Sequence, residues 1–187
     1  DIFKSENYPI RKETPQPGEM AELSRDLRLA TEDLKRGGAN PPCLFTIIQS
    51  FVGWGWKRYP SEAELRCMSY LAIALRVRGL TYYTYHSDNG KGVSSTPERM
   101  RGFMKLTREI SALSDHLVSR DAAVQPRCEV LSGAKSAAYD QLPVAFLLKE
   151  SGMFVAVNVT DAPLEARFTM PDGSSFVHKF ERHGVCL

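Results

Sequence analysis

The sequence lacks several features that would place it in a specialised class of protein. A formal net charge of +2 over 187 residues is too small to indicate nucleic-acid binding, and no basic stripe is interleaved with aromatic residues. No apolar run approaches the roughly 20 residues that a membrane span needs, and the first residues do not form a signal peptide. Internal repeats and low-complexity segments are also absent. We therefore expect no nucleic-acid or membrane partner and an ordinary globular protein.

Cysteine is scarce and is not arranged for metal binding. The four cysteines are Cys43, Cys67, Cys128 and Cys186, and neither they nor the histidines have the spacing of zinc ligands. We predict no metal and no cofactor. Cys43 and Cys67 are expected to be buried, reduced thiols. A disulfide between Cys128 and Cys186 is possible from the sequence alone, which leaves the cellular compartment open.

The residues from 42 to 85 form the stretch around which the rest of the chain is organised. The apolar and β-branched run Leu44–Phe51 predicts a strand buried on both faces of a parallel sheet. A Gly- and Trp-rich loop follows, and Pro60-Ser61-Glu62 then indicates the start of a helix that closes at Arg78 and Gly79. Leu80–Tyr85 is again strand-like. The stretch is therefore predicted to be a βαβ unit with two parallel strands.

Two further helices and one further strand extend this alternation. Apolar residues recur every three or four positions in Glu19–Arg36, which ends at Gly37-Gly38. Thr96 and Pro97 indicate the start of another helix, which runs to about Leu117. Asp1–Ile10 is predicted to contain a short strand. Residues 1–120 thus contain three βα units.

The last third of the chain, residues 121–187, has a different character. Short runs with alternating apolar residues are separated by turn signals such as Pro171-Asp172-Gly173, which predicts an antiparallel sheet, interpreted as a small C-terminal β-sandwich domain. The predicted strands are Ala137–Tyr139, Pro143–Lys149, Met153–Val159, Leu164–Met170, Ser174–Phe180 and Gly184–Leu187.

Three parallel strands with their helices leave open sheet edges, which are an aggregation hazard. A closed (β/α)₈ barrel needs eight strands and about 250 residues. We therefore predict an α/β region that is the C-terminal part of a longer, closed barrel, followed by the all-β region. The earlier barrel portion of the same protein is then an expected partner.

Aromatic and polar side chains gather where the predicted strands end. Ligands bind at the carboxyl ends of the strands in parallel α/β folds, and aromatic rings with hydrogen-bonding groups suit sugar rings. The candidate substrate-binding residues are Tyr8, Gln49, Trp54, Trp56, Tyr83, Tyr85 and His86. The alternative is that Trp54 and Trp56 merely cover the end of the sheet as part of the core.

The order of elements resembles that of (β/α)₈ glycoside hydrolases with a C-terminal sandwich domain. Asp1–Ile10, ending in Glu-Asn-Tyr-Pro-Ile, is similar to the sixth barrel strand, Leu44–Phe51 to the seventh and Gly79–Ser87 to the eighth. The resemblance implies that the α/β region forms the last three βα units of a TIM barrel and that the protein hydrolyses a carbohydrate. It also implies a glutamate nucleophile at the end of the seventh strand in retaining members, where this chain has Gln49, a neutral amide that cannot attack an anomeric carbon.

Several interpretations of the polar residues stay open. Gln49 could bond a sugar hydroxyl or be satisfied internally. Glu6 is the first candidate for a catalytic acid, although a solvated loop carboxylate is the alternative, and Asp88 is interpreted as a turn former. Three functions follow: part of a glycoside hydrolase, a non-catalytic or inactive carbohydrate-binding relative, or an α/β protein that binds a protein through its open sheet edge.

Overall fold

The computed structural model describes residues 2–38, 42–86 and 91–187. The described residues form four α-helices and nine β-strands. The helices are α1 (Glu19–Arg36), α2 (Glu62–Ala74), α3 (Pro97–Ala112) and α4 (Ser114–Leu117). The strands are β1 (Ile2–Glu6), β2 (Cys43–Gln49), β3 (Gly79–Tyr83), β4 (Arg127–Ser132), β5 (Val144–Leu148), β6 (Phe154–Asn158), β7 (Leu164–Thr169), β8 (Ser175–Phe180) and β9 (Val185–Cys186).

The first three strands form a parallel sheet in the order β1-β2-β3. Leu44 and Ile48 of β2 are buried in the same apolar cluster as side chains of α1 and α2, so these helices cover one face of the sheet. The parallel register pairs Glu6 with Ile47 and Gln49 with Tyr83, which brings the carboxyl ends of all three strands to one edge. The predicted βαβ arrangement is confirmed.

Local capping chemistry explains where α2 and α3 begin. Ser61 and Glu64 form a reciprocal capping box at α2, and the Thr96 hydroxyl accepts a hydrogen bond from the backbone N–H of Arg99 at α3. The predicted bounds of α1 are confirmed residue for residue. The third predicted helix breaks at Leu113, where the short α4 follows α3.

The remaining six strands form two antiparallel sheets, β4-β7-β8 and β5-β6-β9. The two sheets share a buried cluster that contains Phe154 of β6, Phe168 of β7 and Phe180 of β8. Val155 and Val157 of β6 belong instead to the cluster around α2. Because side chains alternate along a strand, β6 joins both clusters, and the antiparallel part shares its core with the helical part.

The predicted barrel segment is wrong. Among residues 2–38, 42–86 and 91–187, the parallel part is an open three-stranded sheet in which no further strand pairs with β1 or β3, and the other strands pair antiparallel in two small sheets. The structure supports a mixed α/β class and no more. The alternation of strand and helix is common to every parallel α/β architecture, so this pattern alone does not distinguish a barrel segment from an open sheet.

Several local predictions also need correction. β2 is not buried on both faces, because Phe45 and Ile47 are only half-buried on the face that the helices leave open. Residues 138–140 form a 3₁₀ turn and not a strand, with Tyr139 at φ 57°. Strand β4 was not predicted; its alternating burial is interrupted by a bulge near Ser132.

The cysteines are all free thiols, so the possible Cys128–Cys186 disulfide is not formed. Cys67 is buried as predicted, and burial raises the pKa of its thiol. Cys43 is exposed, contrary to prediction, because it is the first residue of β2 and lies at the open end of the sheet. Among the described residues, no helix is both long enough and apolar enough to span a bilayer.

Candidate functional site

The Gly-Trp loop after β2 is a tight hairpin turn. Gly53 and Trp56 exchange two backbone hydrogen bonds of 2.7 and 3.0 Å, which leaves Trp54 and Gly55 as the two central residues. Both have positive φ, 51° for Trp54 and 102° for Gly55, as a type I′ turn requires. A bulky side chain is uncommon in this backbone region. The turn therefore holds the indole of Trp54 at its tip, where 51% of the residue is exposed.

Five aromatic rings form one cluster at the carboxyl edge of the parallel sheet, which we call the aromatic cluster: Tyr8, Phe51, Trp54, Trp56 and Tyr83. Phe51 lies at its centre and is only 1% exposed. Its ring centroid lies 5.1 to 5.5 Å from the centroids of the other four rings. Edge-to-face contacts of this kind add to the stabilisation from burial. Phe51 thus supports the rings that reach the surface.

The rings differ in how much surface they present. Trp54 and Tyr83 are exposed, and their centroids lie 6.0 Å apart at an angle of 41°. Trp56 is half-buried, and its indole N–H donates a 2.9 Å hydrogen bond to the backbone carbonyl of Tyr8. Trp54 and Tyr83 thus provide the open aromatic surface, while Trp56 ties the loop to the segment after β1.

Glu6 is joined to the aromatic cluster through Tyr8. The Tyr8 hydroxyl donates a 2.8 Å hydrogen bond to the exposed carboxylate of Glu6. Burial, with this hydrogen bond and the negative charge of Glu6, raises the pKa of Tyr8, so the phenol stays neutral and remains the donor. Glu6 is thereby held beside the exposed rings, and its second oxygen can accept a hydrogen bond from a ligand.

Gln49 has a structural position. The residue is 0% exposed, its side-chain oxygen accepts from the Ile10 N–H at 3.0 Å, and its side-chain nitrogen donates to the Ile10 carbonyl at 2.9 Å. The amide thus pairs with the backbone of the segment after β1 as a neighbouring strand would. Of the two interpretations left open by the sequence, internal satisfaction is the one that the structure favours, and we do not include Gln49 in the site.

The two remaining candidates lie beyond the end of β3. Tyr85 and His86 are both exposed, and a ring nitrogen of His86 lies 3.1 Å from the Ser94 hydroxyl. Neither contacts a ring of the aromatic cluster in the part of the chain that the structure describes. Asp88 lies outside the described residues.

Lys91 was missed by sequence reasoning. Its ammonium lies 4.3 Å from the ring centroid of Trp54, a cation–π contact, and its backbone carbonyl accepts from Val52. Phe51 was also missed as a site residue, because it reads as the last apolar residue of a strand. Its position directly before the Gly-Trp loop is the sequence feature that could have indicated Phe51 as a site residue.

The arrangement offers aromatic faces, a carboxylate and a cation on one side of the molecule. Within residues 2–38, 42–86 and 91–187, no group of three or more His, Cys, Asp or Glu side chains is placed to hold a metal ion. A ligand with flat apolar faces and peripheral hydroxyl groups fits such a surface, since rings supply contact area and the charged groups fix orientation.

Comparison with known proteins does not place the chain in a family. A scan against protein-family models and a search of curated proteins found no match to this sequence.

Proposed function

We propose that the aromatic cluster binds carbohydrate at the carboxyl edge of the parallel sheet. The observation that carries this proposal is the indole of Trp54, which a type I′ turn holds half-exposed beside Tyr83. Backbone strain of this kind tends to occur where a side chain must be presented to a ligand. The pyranose ring has an apolar face that packs on an aromatic ring, while its hydroxyl groups take the hydrogen bonds.

The polar groups around the rings suit this ligand. Glu6 offers an acceptor for sugar hydroxyl groups, and the hydroxyl of exposed Tyr83 offers both a donor and an acceptor. Lys91 holds its ammonium over one face of the Trp54 ring, 4.3 Å from the centroid. A few hydrogen-bonding groups placed around an apolar floor are the usual composition of a small-molecule site.

Replacing Trp54 with glycine should weaken carbohydrate binding while the fold is kept. Glycine adopts the positive φ of this turn without strain, so only the indole is lost. The lost stacking corresponds to about 1–2 kcal/mol, or about a 5- to 30-fold rise in Kd. We would identify a binding oligosaccharide on an array of glucan, xylan, mannan and chitin fragments, and then measure its Kd by isothermal titration calorimetry.

Tyr139 provides the matched control. It has the same 51% exposure and a φ of 57°, but it stacks with Arg25 away from the aromatic cluster. Tyr139→Gly should therefore leave the Kd unchanged. If Trp54→Gly and the parent protein have equal Kd values, and circular dichroism shows that both variants are folded, Trp54 only covers the end of the sheet and does not bind the ligand.

Glycoside hydrolysis is the second candidate function, and the position of Glu6 favours it. The carboxylate lies beside the exposed rings and is oriented by the Tyr8 hydroxyl, so it can come within hydrogen-bond reach of a bound sugar, as a general acid or base must. Hydrolysis needs two carboxyl groups, about 5–5.5 Å apart for retention and about 6.5–9.5 Å for inversion. Because Gln49 is buried and neutral, the second carboxyl group must come from another residue.

Replacing Glu6 with glutamine separates catalysis from binding. If the protein hydrolyses aryl glycosides, Glu6→Gln should lower kcat by about 10²- to 10⁴-fold, the usual contribution of a general acid. Glu32→Gln, on the exposed face of α1, should leave kcat unchanged. Absence of turnover by the parent protein on a panel of aryl glycosides, together with retained binding of oligosaccharide, would leave carbohydrate binding as the function.

A further inference from the structure

A groove of about 590 Å³ runs between β3, α3 and the end of α2, away from the aromatic cluster. Its apolar wall consists of Ile73, Val77, Leu80, Tyr82, Ile110 and Leu117. Adjacent residues of a strand point to opposite faces. Tyr82 therefore packs against Ser69 and Phe103 on the helical side, whereas Tyr83 belongs to the aromatic cluster.

One end of this groove carries an excess of positive charge. Arg76, Arg78 and Lys149 line the groove, and their cationic groups lie 3.2, 3.8 and 2.8 Å from the carboxylate of Asp121. In the part of the chain that the structure describes, Asp121 is the one carboxylate within ion-pair distance of these three cations, so this end has a net charge of +2 from the four groups. Ser119 contributes only a backbone carbonyl, which accepts from Lys149 at 3.0 Å.

Lys149 makes this end a built site and not a chance group of surface charges. Its side chain is only 5% exposed, and an ammonium so buried is costly unless it is paired. Asp121 and the Ser119 carbonyl use two of its three N–H donors. Although burial by itself would raise the pKa of Asp121, the hydrogen bond from Lys149 and the three cations outweigh burial and lower it, so Asp121 remains ionised.

We propose that this groove binds an amphiphile with an unbranched apolar chain and an anionic head group. The chain would lie between Leu80, Tyr82 and Ile110, and the head group would meet Arg76, Arg78 and Lys149. The volume falls within the range of small-ligand sites, about 300–1,000 Å³. Two adjacent guanidinium groups suit a carboxylate or phosphate head, because each can donate two parallel hydrogen bonds. This site is independent of the proposed carbohydrate site.

Titration with matched twelve-carbon amphiphiles tests the proposal. Dodecanoate and dodecyl phosphate, each below its micellar range, should bind one molecule per chain, and the tighter of the two identifies the preferred head group. Dodecanol should bind at least tenfold more weakly, because it makes no charge-assisted hydrogen bonds. Calorimetry on the full chain gives both the stoichiometry and the Kd. No saturable binding of either anion, or dodecanol binding as tightly as the anions, would overturn the proposal.

Two variants locate the head group and the chain. Arg76→Asn/Arg78→Gln should raise the Kd of the anions about tenfold or more and leave that of dodecanol unchanged; asparagine suits the positive φ of 66° at position 76. Arg78→Gln alone removes the more weakly paired cation and serves if the double variant does not fold.

Ser111→Trp places an indole from the exposed side of α3 into the groove and should abolish binding of both anions. Trp54→Gly should leave the Kd of both anions unchanged. If either anion binds to Ser111→Trp or to the arginine variants as tightly as to the parent protein, the proposal is contradicted.

Discussion

Replacing Arg58 with methionine should lower the free energy of unfolding by about 3–5 kcal/mol at pH 7, the cost of leaving buried carboxylates without their cation. Arg58 joins the first turns of two helices. Its guanidinium donates to Glu64 of α2 at 2.6 and 2.8 Å and to Glu19 of α1 at 2.8 Å. Both glutamates are buried, with side chains 5–6% exposed, and the Arg58 side chain is largely buried at 14% exposed.

The two glutamates respond differently to this shared partner. Burial raises the pKa of Glu19, and the positive charge of Arg58 together with a backbone hydrogen bond from Gln16 offsets only part of that rise. Burial would also raise the pKa of Glu64, but two hydrogen bonds from Arg58 and those of the Ser61 capping box lower it instead. Glu64 therefore stabilises the fold above its ordinary pKa of 4.5, and this stabilisation is lost as the pH falls through the lowered value.

Without Arg58, the pKa of Glu19 should rise further above its ordinary value, and that of Glu64 should also rise, because only the hydrogen bonds from Ser61 then oppose burial there. The folded variant then binds more protons than the unfolded chain between pH 4.5 and the raised values, so its stability rises as the pH falls. The loss of unfolding free energy in Arg58→Met, measured by urea unfolding, should therefore be larger at pH 7 than at pH 5. Arg36→Met, which breaks an exposed pair with Asp33, should cost no more than about 0.5 kcal/mol. An Arg58→Met defect that is equal at both pH values would contradict this assignment.

Replacing Gln49 with leucine should cost about 2–6 kcal/mol, because it leaves the buried N–H and carbonyl of Ile10 without partners at about 1–3 kcal/mol each. Glutamate at the same position should be more damaging at pH 7 than at pH 5. An ionised carboxylate would face the Ile10 carbonyl oxygen, whereas the protonated acid can donate to it. Its folded pKa is therefore expected to rise, and stability should increase on acidification.

Gln16 is the matched control for these variants. It is partly exposed, and its amide bonds locally to Thr14, so Gln16→Leu should stay within about 0.5 kcal/mol of the parent protein in urea unfolding. A Gln49→Leu variant as stable as Gln16→Leu would show that the hydrogen bonds between the Gln49 amide and the Ile10 backbone do not stabilise the fold. That result would favour the alternative interpretation, in which Gln49 binds a ligand.

The sequence predicted the helices better than it predicted the site. Glu19–Arg36 is confirmed because apolar periodicity and the glycines after it act within a few residues of one another. Tyr8, Trp54, Trp56 and Tyr83 were correctly expected near one edge, since parallel strands align their carboxyl ends. Phe51 and Lys91 were missed because their roles depend on contacts that cross the sheet edge.

The sequence by itself determined the three long helices, most of the strands and the parallel run of the first three strands, because turns, caps and side-chain periodicity are local properties. It missed β4 and predicted a strand at residues 137–139, where the structure has a 3₁₀ turn. Only the tertiary structure decided that the parallel sheet is open, that Gln49 faces inward and that one arginine joins two helices. Arg58 and Glu19 are 39 residues apart in the chain, as are Gln49 and Ile10. Burial and charge pairing arise from such distant contacts, which no short window of sequence contains.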